Sequence, residues 1–164
     1  AIGAEIVTFV SQTLKPESPA VAGFEGFVIS SDAANFSAGA NLMQLLLAIQ
    51  EQEWDEIDAM IQAFQKMTQT IKYCPRPVVA APFGMCLGGG AEVCLHAAAR
   101  QAHAELYMGL VEVGVGLIPA AGGCKEMTLR VVDGAAAVRT SGSTESIELM
   151  QLLRRTFETV AGTG

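Results

Sequence analysis

The sequence predicts an α/β fold, and three observations carry that expectation. Short β-prone runs alternate with longer segments of helical period. Hydrophobic residues make up 51% of the chain but aromatics only 6%, and 17 glycines punctuate the joins between runs. That balance suits an Ala/Gly/Val-rich layered domain better than an all-β sandwich. At 164 residues the expectation is one core domain, 1–164, in which 133–164 forms a C-terminal helical segment.

Ile2, Ile6, Phe9, Val10 and Leu14 fall at helical spacing, so an amphipathic helix opens the chain and stops near Pro16. Pro16-Glu17-Ser18-Pro19 reads as a loop. Residues 24–29 read as a buried strand, because Phe-Val-Ile is β-prone. Ser30-Ser31-Asp32 ends it, and a glycine-bearing loop over 35–41 follows. Segments 42–52 and 54–73 are predicted helices, the second with Ile57, Met60, Ile61, Phe64 and Met67 on one face. Pro75-Arg76-Pro77 breaks the chain, and 78–81 is a second buried strand. A loop over 84–90 leads into a helix over 91–99. A short strand at 105–108 precedes the glycine-rich stretch 109–123, and helices are expected at 125–132 and 143–160.

Ten basic residues stand against seventeen acidic ones, a formal charge of -7, and no Lys or Arg lies between Lys15 and Lys66. No basic stripe is available to displace phosphate counterions, which argues against a nucleic-acid surface. Cys74, Cys86, Cys94 and Cys124 form no C-x-x-C pair, so reduced and mostly buried thiols in a cytoplasmic protein are expected. His96 and His103 have no companion ligand at a zinc-like spacing, and no metal site is expected. No run of eighteen apolar residues suggests a membrane span. The start without Met and the Ala-Gly-Thr-Gly end suggest a piece excised from a longer protein.

Chemistry concentrates in the loops. A strand running into Gly88-Gly89-Gly90 and then a helix presents backbone N–H groups with no Cβ to block approach. Such amides can hold a phosphate or an oxygen that gains charge during reaction, although a tight strand-to-helix turn would have the same sequence. Glu92 follows in the first turn of that helix, where the dipole alone would favour a carboxylate. Glu112 is the other carboxylate in a Gly-rich apolar loop, with no Lys or Arg between Arg100 and Lys125. It is either solvated at a turn or held in a cleft for use.

Three ordered segments resemble signatures of the crotonase (enoyl-CoA hydratase/isomerase) superfamily. They are Asn35-Phe36-Ser37-Ala38-Gly39-Ala40-Asn41-Leu42, then Pro77-Val78-Val79-Ala80-Ala81 through Gly88-Gly89-Gly90-Ala91-Glu92, then Gly109-Leu110-Val111-Glu112 with Gly116-Leu117-Ile118-Pro119. Asn41 stands where that family usually has Asp, Val111 where it has Pro, Phe83 where Asn is common and Ala98 where many members have Asp. The wording around 107–116 is similar to the hydratase-like part of large bacterial fatty-acid-oxidation proteins of the 3-hydroxyacyl-CoA dehydrogenase type.

The resemblance implies a spiral of β-β-α units, here truncated at both ends, and reversible hydration of a trans-2-enoyl-CoA. It implies Glu92 and Glu112 as catalytic carboxylates and the amides of Ala40 and Gly89 as an oxyanion hole. Ala38, Asn41, Leu42, Leu87 and Gly88 would line the substrate path. No cofactor is implied in this segment beyond the coenzyme A of the acyl-CoA substrate; NAD would belong to a dehydrogenase part outside it. Isomerisation on the same scaffold, or a non-catalytic assembly role, are the alternatives, and a trimer-like homo-oligomer is implied. Truncation should expose apolar surface at 78–87 and on the methionine-rich helix faces.

Overall fold

A computed structural model describes residues 1–138 and 146–162. Two parallel sheets organise it. Strands β1 (Phe27–Ile29), β2 (Val78–Ala80) and β4 (Ala99–Arg100) form one, in the order β1-β2-β4; β3 (Met85–Leu87) and β5 (Tyr107–Gly109) form the other. Ser37 joins the second sheet through a parallel bridge to Cys86. Each excursion of the chain therefore leaves one strand segment in each sheet before a helix returns it. β1 and Ser37 precede α3 (Leu42–Gln50) and α4 (Trp54–Lys72). β2 and β3 precede α5 (Gly89–His96). β4 and β5 precede a 3-10 turn (Glu112–Val115) and α6 (Gly123–Val138). This is the β-β-α spiral expected from the sequence resemblance.

Register matters most in the second sheet, where Met85 pairs with Tyr107, Cys86 with Met108 and Leu87 with Gly109. The pairing sets the end of β3, and hence the glycines behind it, beside the loop that carries Glu112. In the first sheet Phe27 pairs with Val78, and Val79 with Ala99.

The core lies where α1 (Ala4–Leu14), α4 and α5 close on β2 and β3. Val7, Leu14, Met67, Ile71, Val78, Ala80, Cys86, Val93 and Cys94 fill it. Of the α4 face expected from periodicity only Met67 is fully buried; Ile57, Ile61 and Phe64 are half-buried and Met60 is exposed. The 78–87 segment supplies much of this core, contrary to the expectation that it would be bared. Exposed apolar side chains sit instead on α3, which buries no residue, at Leu42, Met43, Leu46 and Leu47, and on α1 at Phe9.

Several boundaries moved. Ser18 caps a short helix, α2 (Pro19–Gly23), accepting from Ala20 N at 3.2 Å with proline at its first position; the helix begins on the last residue of the loop expected over 16–19 and takes in 20–23, for which no element was expected. The 84–90 loop contains β3, whose three residues are too few for periodicity to register. α5 starts at Gly89 and ends at His96 because Ala99–Arg100 is drawn into the sheet. α6 runs past the expected 125–132 at both ends, and α7 (Ser146–Gly162) is the last helix among the described residues. The first three positions of the predicted 143–160 helix lie outside the described residues. All four thiols are free; Cys86 and Cys94 are buried, Cys74 is half-buried and Cys124 is exposed, against the expectation that most would be buried. Among the described residues no helix is long and apolar enough to cross a membrane.

Gly90 shows how tightly α5 sits on the second sheet. A Cβ there would lie 2.5 Å from Ser37 Cβ, a backbone-proximal atom that cannot swing aside. Alanine in a helix is ordinarily worth about 1 kcal/mol over glycine. Overpacking of this kind costs about 1–3 kcal/mol and should win. Gly90→Ala is expected to lower the urea midpoint; an unchanged or raised midpoint would show that the contact relaxes freely.

Candidate active site

Three backbone segments converge behind β3. Gly39, in the left-handed region at φ +89, lies against Leu87, since a Cβ there would come 3.3 Å from the Leu87 carbonyl oxygen. Ser37 fixes this bend by accepting from Gly39 N through Oγ at 3.1 Å. Gly88, at φ +54, precedes α5 and donates its N–H to the Gly109 carbonyl at 2.9 Å. A Cβ on Gly88 would lie 3.1 Å from Glu112 Oε1 and 3.8 Å from Gly39 Cα, so only glycine lets the three segments meet this closely.

The two glutamates enter the convergence from different elements. Glu92, in the first turn of α5, is 3% exposed, and its Oε1 accepts from Gly123 N at 2.8 Å. Burial pushes its carboxyl up to about 7; the Gly123 amide works against that, and the negative field of Glu112 adds to it. Glu112 opens the 3-10 turn and is half-buried, yet its Oε2 is sealed from solvent and has no hydrogen-bond partner. Burial raises its carboxyl too, against the pull of the Glu112 and Val111 backbone amides. A carboxyl oxygen in this state is one that a protonated form, or a hydrogen from a bound group, would satisfy.

Ala40 and Gly89 stand at the ends of the adjoining segments. Ala40 bridges Ile2 and Gly89 opens α5, and among the described residues neither amide finds a backbone acceptor. Phe64 of α4 lies over Gly89, where a Cβ would meet its Cζ at 3.0 Å. Leu87 and Gly88 sit inside the convergence. Ala38, Asn41 and Leu42 are exposed at its edge, and Asn41 caps α3, its Oδ1 accepting from Gln44 N at 3.3 Å. Asn41 thus has a local structural duty whether or not it also faces a ligand.

Sequence reasoning missed Gly123, Phe64 and Ser37. Gly123 had a visible signal, a glycine pair immediately before a helix. Phe64 was placed on an apolar helix face and Ser37 within a signature, but neither was marked for the site, because their roles come from contacts between distant segments.

The raised Glu92 carboxyl has a consequence for stability. A carboxyl held at about 7 in the fold, against an ordinary 4.5, binds its proton more tightly when folded. Its favourable contribution is therefore complete below pH 4.5 and is lost as pH rises to about 7. Glu92→Gln should remove this dependence. The variant is expected to gain on the native chain by roughly 1–3 kcal/mol between pH 5 and pH 8 in urea titrations. A constant difference across that range would mean that Glu92 titrates normally.

The family described as enoyl-CoA hydratase/isomerase matches residues 4–137. A Bacillus subtilis protein named "Probable 3-hydroxyacyl-CoA dehydrogenase" is 39% identical over 170 residues, covering 95% of this chain and 21% of that protein. Another from the same organism, named "Probable enoyl-CoA hydratase", is 30% identical over 126 residues, covering 77% of this chain and 47% of its own. The chain thus spans less than half the length of either relative. Among solved structures, an enoyl-CoA hydratase from Polaromonas sp. JS666 superposes with a TM-score of 0.74 at 23% identity, over 100% of this chain and 55% of that one. One from Rhodobacter sphaeroides 2.4.1 superposes at 0.68 and 21%, over 78% of this chain and 38% of that one. The structural likeness establishes the spiral fold, and the sequence match over most of its length establishes kinship: this chain belongs to the enoyl-CoA hydratase/isomerase family.

Proposed function

We propose that this chain hydrates trans-2-enoyl-CoA thioesters reversibly to 3-hydroxyacyl-CoA, within a protein that also carries an NAD-dependent 3-hydroxyacyl-CoA dehydrogenase part. The observation that carries this reading is the pairing of Glu92, which is buried, with Glu112, whose Oε2 is sealed from solvent, in one glycine-lined convergence where the charge of Glu112 raises the Glu92 carboxyl. Hydration needs a base for the water and an acid for the substrate carbon, and two interacting carboxyls with raised proton affinity supply both.

In the forward direction Glu92, anchored by the Gly123 amide, accepts a proton from water as its oxygen bonds to Cβ of the enoyl group. Glu112, whose Oε2 lacks a partner, delivers a proton to Cα. Negative charge that develops on the thioester oxygen in between is met by the amides of Ala40 and Gly89, the second at a helix N-terminus. Leu87, Gly88, Ala38, Asn41 and Leu42 line the acyl-CoA path. The reaction draws on no cofactor in this segment beyond the substrate's own coenzyme A. The working form is read as a cytoplasmic, trimer-like homo-oligomer.

Glu92→Gln and Glu112→Gln are each expected to slow crotonyl-CoA hydration by orders of magnitude in the full-length protein, followed as loss of enoyl absorbance. The double variant should cost little more than either single one, as for groups that act as a unit. Gly89→Pro, which deletes one donor amide, should lose roughly 10²–10³ in rate. Conversion of a 3-enoyl-CoA to its 2-enoyl isomer without hydration would assign isomerisation instead. Neither reaction in a folded protein would leave an assembly role.

A further inference from the structure

Behind the two glutamates lies a second buried cluster that the hydration scheme does not use. Glu126, on the first turn of α6, is 3% exposed. Its Oε1 meets Lys72 Nζ of α4 at 2.6 Å and Lys125 Nζ at 3.2 Å; its Oε2 meets Arg130 Nη1 at 3.1 Å. Arg130 also donates to the Glu126 carbonyl at 2.9 Å and, through Nη2, to the Leu95 carbonyl of α5. Burial alone would raise the Glu126 carboxyl, but Lys72 and Lys125 outweigh it and hold it at about 2. One buried anion thus ties three helices together.

His96 connects this anion to the active site. Its ring is fully buried and its Nδ1 lies 2.7 Å from the Glu92 carbonyl, which can only accept, so Nδ1 carries the hydrogen. Nε2 lies 3.5 Å from Glu126 Oε1 and makes no hydrogen bond. Burial, with Lys125 and Lys72 adding to it, holds the imidazole neutral against the opposing pull of Glu92 O and Glu126. The ring edge packs on the turn before α6: a Cβ on Gly122 would lie 2.9 Å from both His96 Cε1 and Nε2. The next residue, Gly123, donates to Glu92 Oε1. From the opposite side α4 grips the same turn, Thr68 Oγ1 donating to Ala121 O at 2.8 Å and Gln65 Nε2 to Ala120 O at 2.8 Å.

We propose that His96 and Glu126 are positioning residues for Glu92. The anion draws α6 against α4 and α5, the His96 ring seats the Gly122–Gly123 turn, and the seated turn aims the Gly123 N–H at Glu92 Oε1. The kinetic part of the claim rests on the hydratase reading; the geometric part does not. A turn that relaxes by a fraction of an ångström loses a hydrogen bond that stabilises the ionised carboxylate, so the Glu92 carboxyl must rise further. Among the described residues the other charged or titratable groups facing Glu92 are Glu112 from the 3-10 turn and the Cys124 thiol on α6.

The test uses two substitutions that leave the net charge of the cluster unchanged, so that any movement of Glu92 reports the hydrogen bond rather than a lost charge. They are His96→Ala and Glu126→Asp. Glu92 is titrated by carbon NMR of its carboxyl in the native protein and both variants, and crotonyl-CoA hydration is followed against pH. In every variant that folds, the Glu92 midpoint and the acid limb of kcat should both move up, by roughly 0.5–1 pH unit. The rate at neutral pH should fall about 10- to 100-fold, with KM changing far less. A Glu92 midpoint that stays put in either folded variant, whatever happens to the rate, overturns the proposal and leaves the cluster a structural clamp. A native protein that hydrates nothing defeats the hydratase reading alone, because the Glu92 titration still decides the geometric claim.

Discussion

One backbone N–H, that of Gly123, meets a carboxyl that the fold has otherwise stripped of water. Glu92 is buried on the first turn of α5, and a carboxylate so placed would revert to its neutral form without a donor. The helix dipole and the Gly123 amide supply partial compensation, enough to leave the group near neutrality in its titration. Much of the surrounding architecture can be understood as the means of bringing that amide into place. The turn that carries it belongs to α6, is held by hydroxyl and amide side chains of α4, and rests on a ring from α5.

The spiral makes this convergence possible. Because consecutive strands go to different sheets, each circuit of the chain returns a loop to the same end of the second sheet. Gly39, Gly88 and Glu112 come from three successive circuits and meet within van der Waals distance. Glycines at these crossings let backbone replace side chain as the contact surface. The arrangement therefore presents amides and carboxyls rather than a wall of apolar groups, which suits a reaction in which charge appears on an oxygen and a proton moves to carbon.

The distribution of apolar surface carries a separate message. The central 78–94 segment is packed into the core, whereas α3 buries none of its leucines or methionines and α1 leaves Phe9 in solvent. The matched region makes up 21% of one relative and 47% of another. The network around Glu126 differs in character from that apolar surface: its cations are partly solvated while the carboxylate is not, so the ion pairs brace the helices from the rim of the core.

The sequence by itself determined the class of fold, and its motifs singled out Glu92, Glu112 and the glycine loops around them as candidates. Helical period reported α1 and α4, and the Val78–Ala80 run between proline and glycine read as a buried strand. Glycine spacing marked Gly39, Gly88 and Gly89 because those positions require backbone that other residues cannot adopt or space that a Cβ would fill. Tertiary structure alone decided the rest. Three-residue strands such as β3 carry too little periodicity to announce themselves, and α2 depended on a cap that reads equally well as a loop. The Gly123 donor lies 31 residues from Glu92, and Lys72 lies 54 from Glu126. Contacts at such separations follow from how helices dock on sheets, which no local pattern encodes. The burial that raises Glu92, leaves Glu112 Oε2 unpaired and seats His96 against Gly122 exists only once those elements have closed on one another.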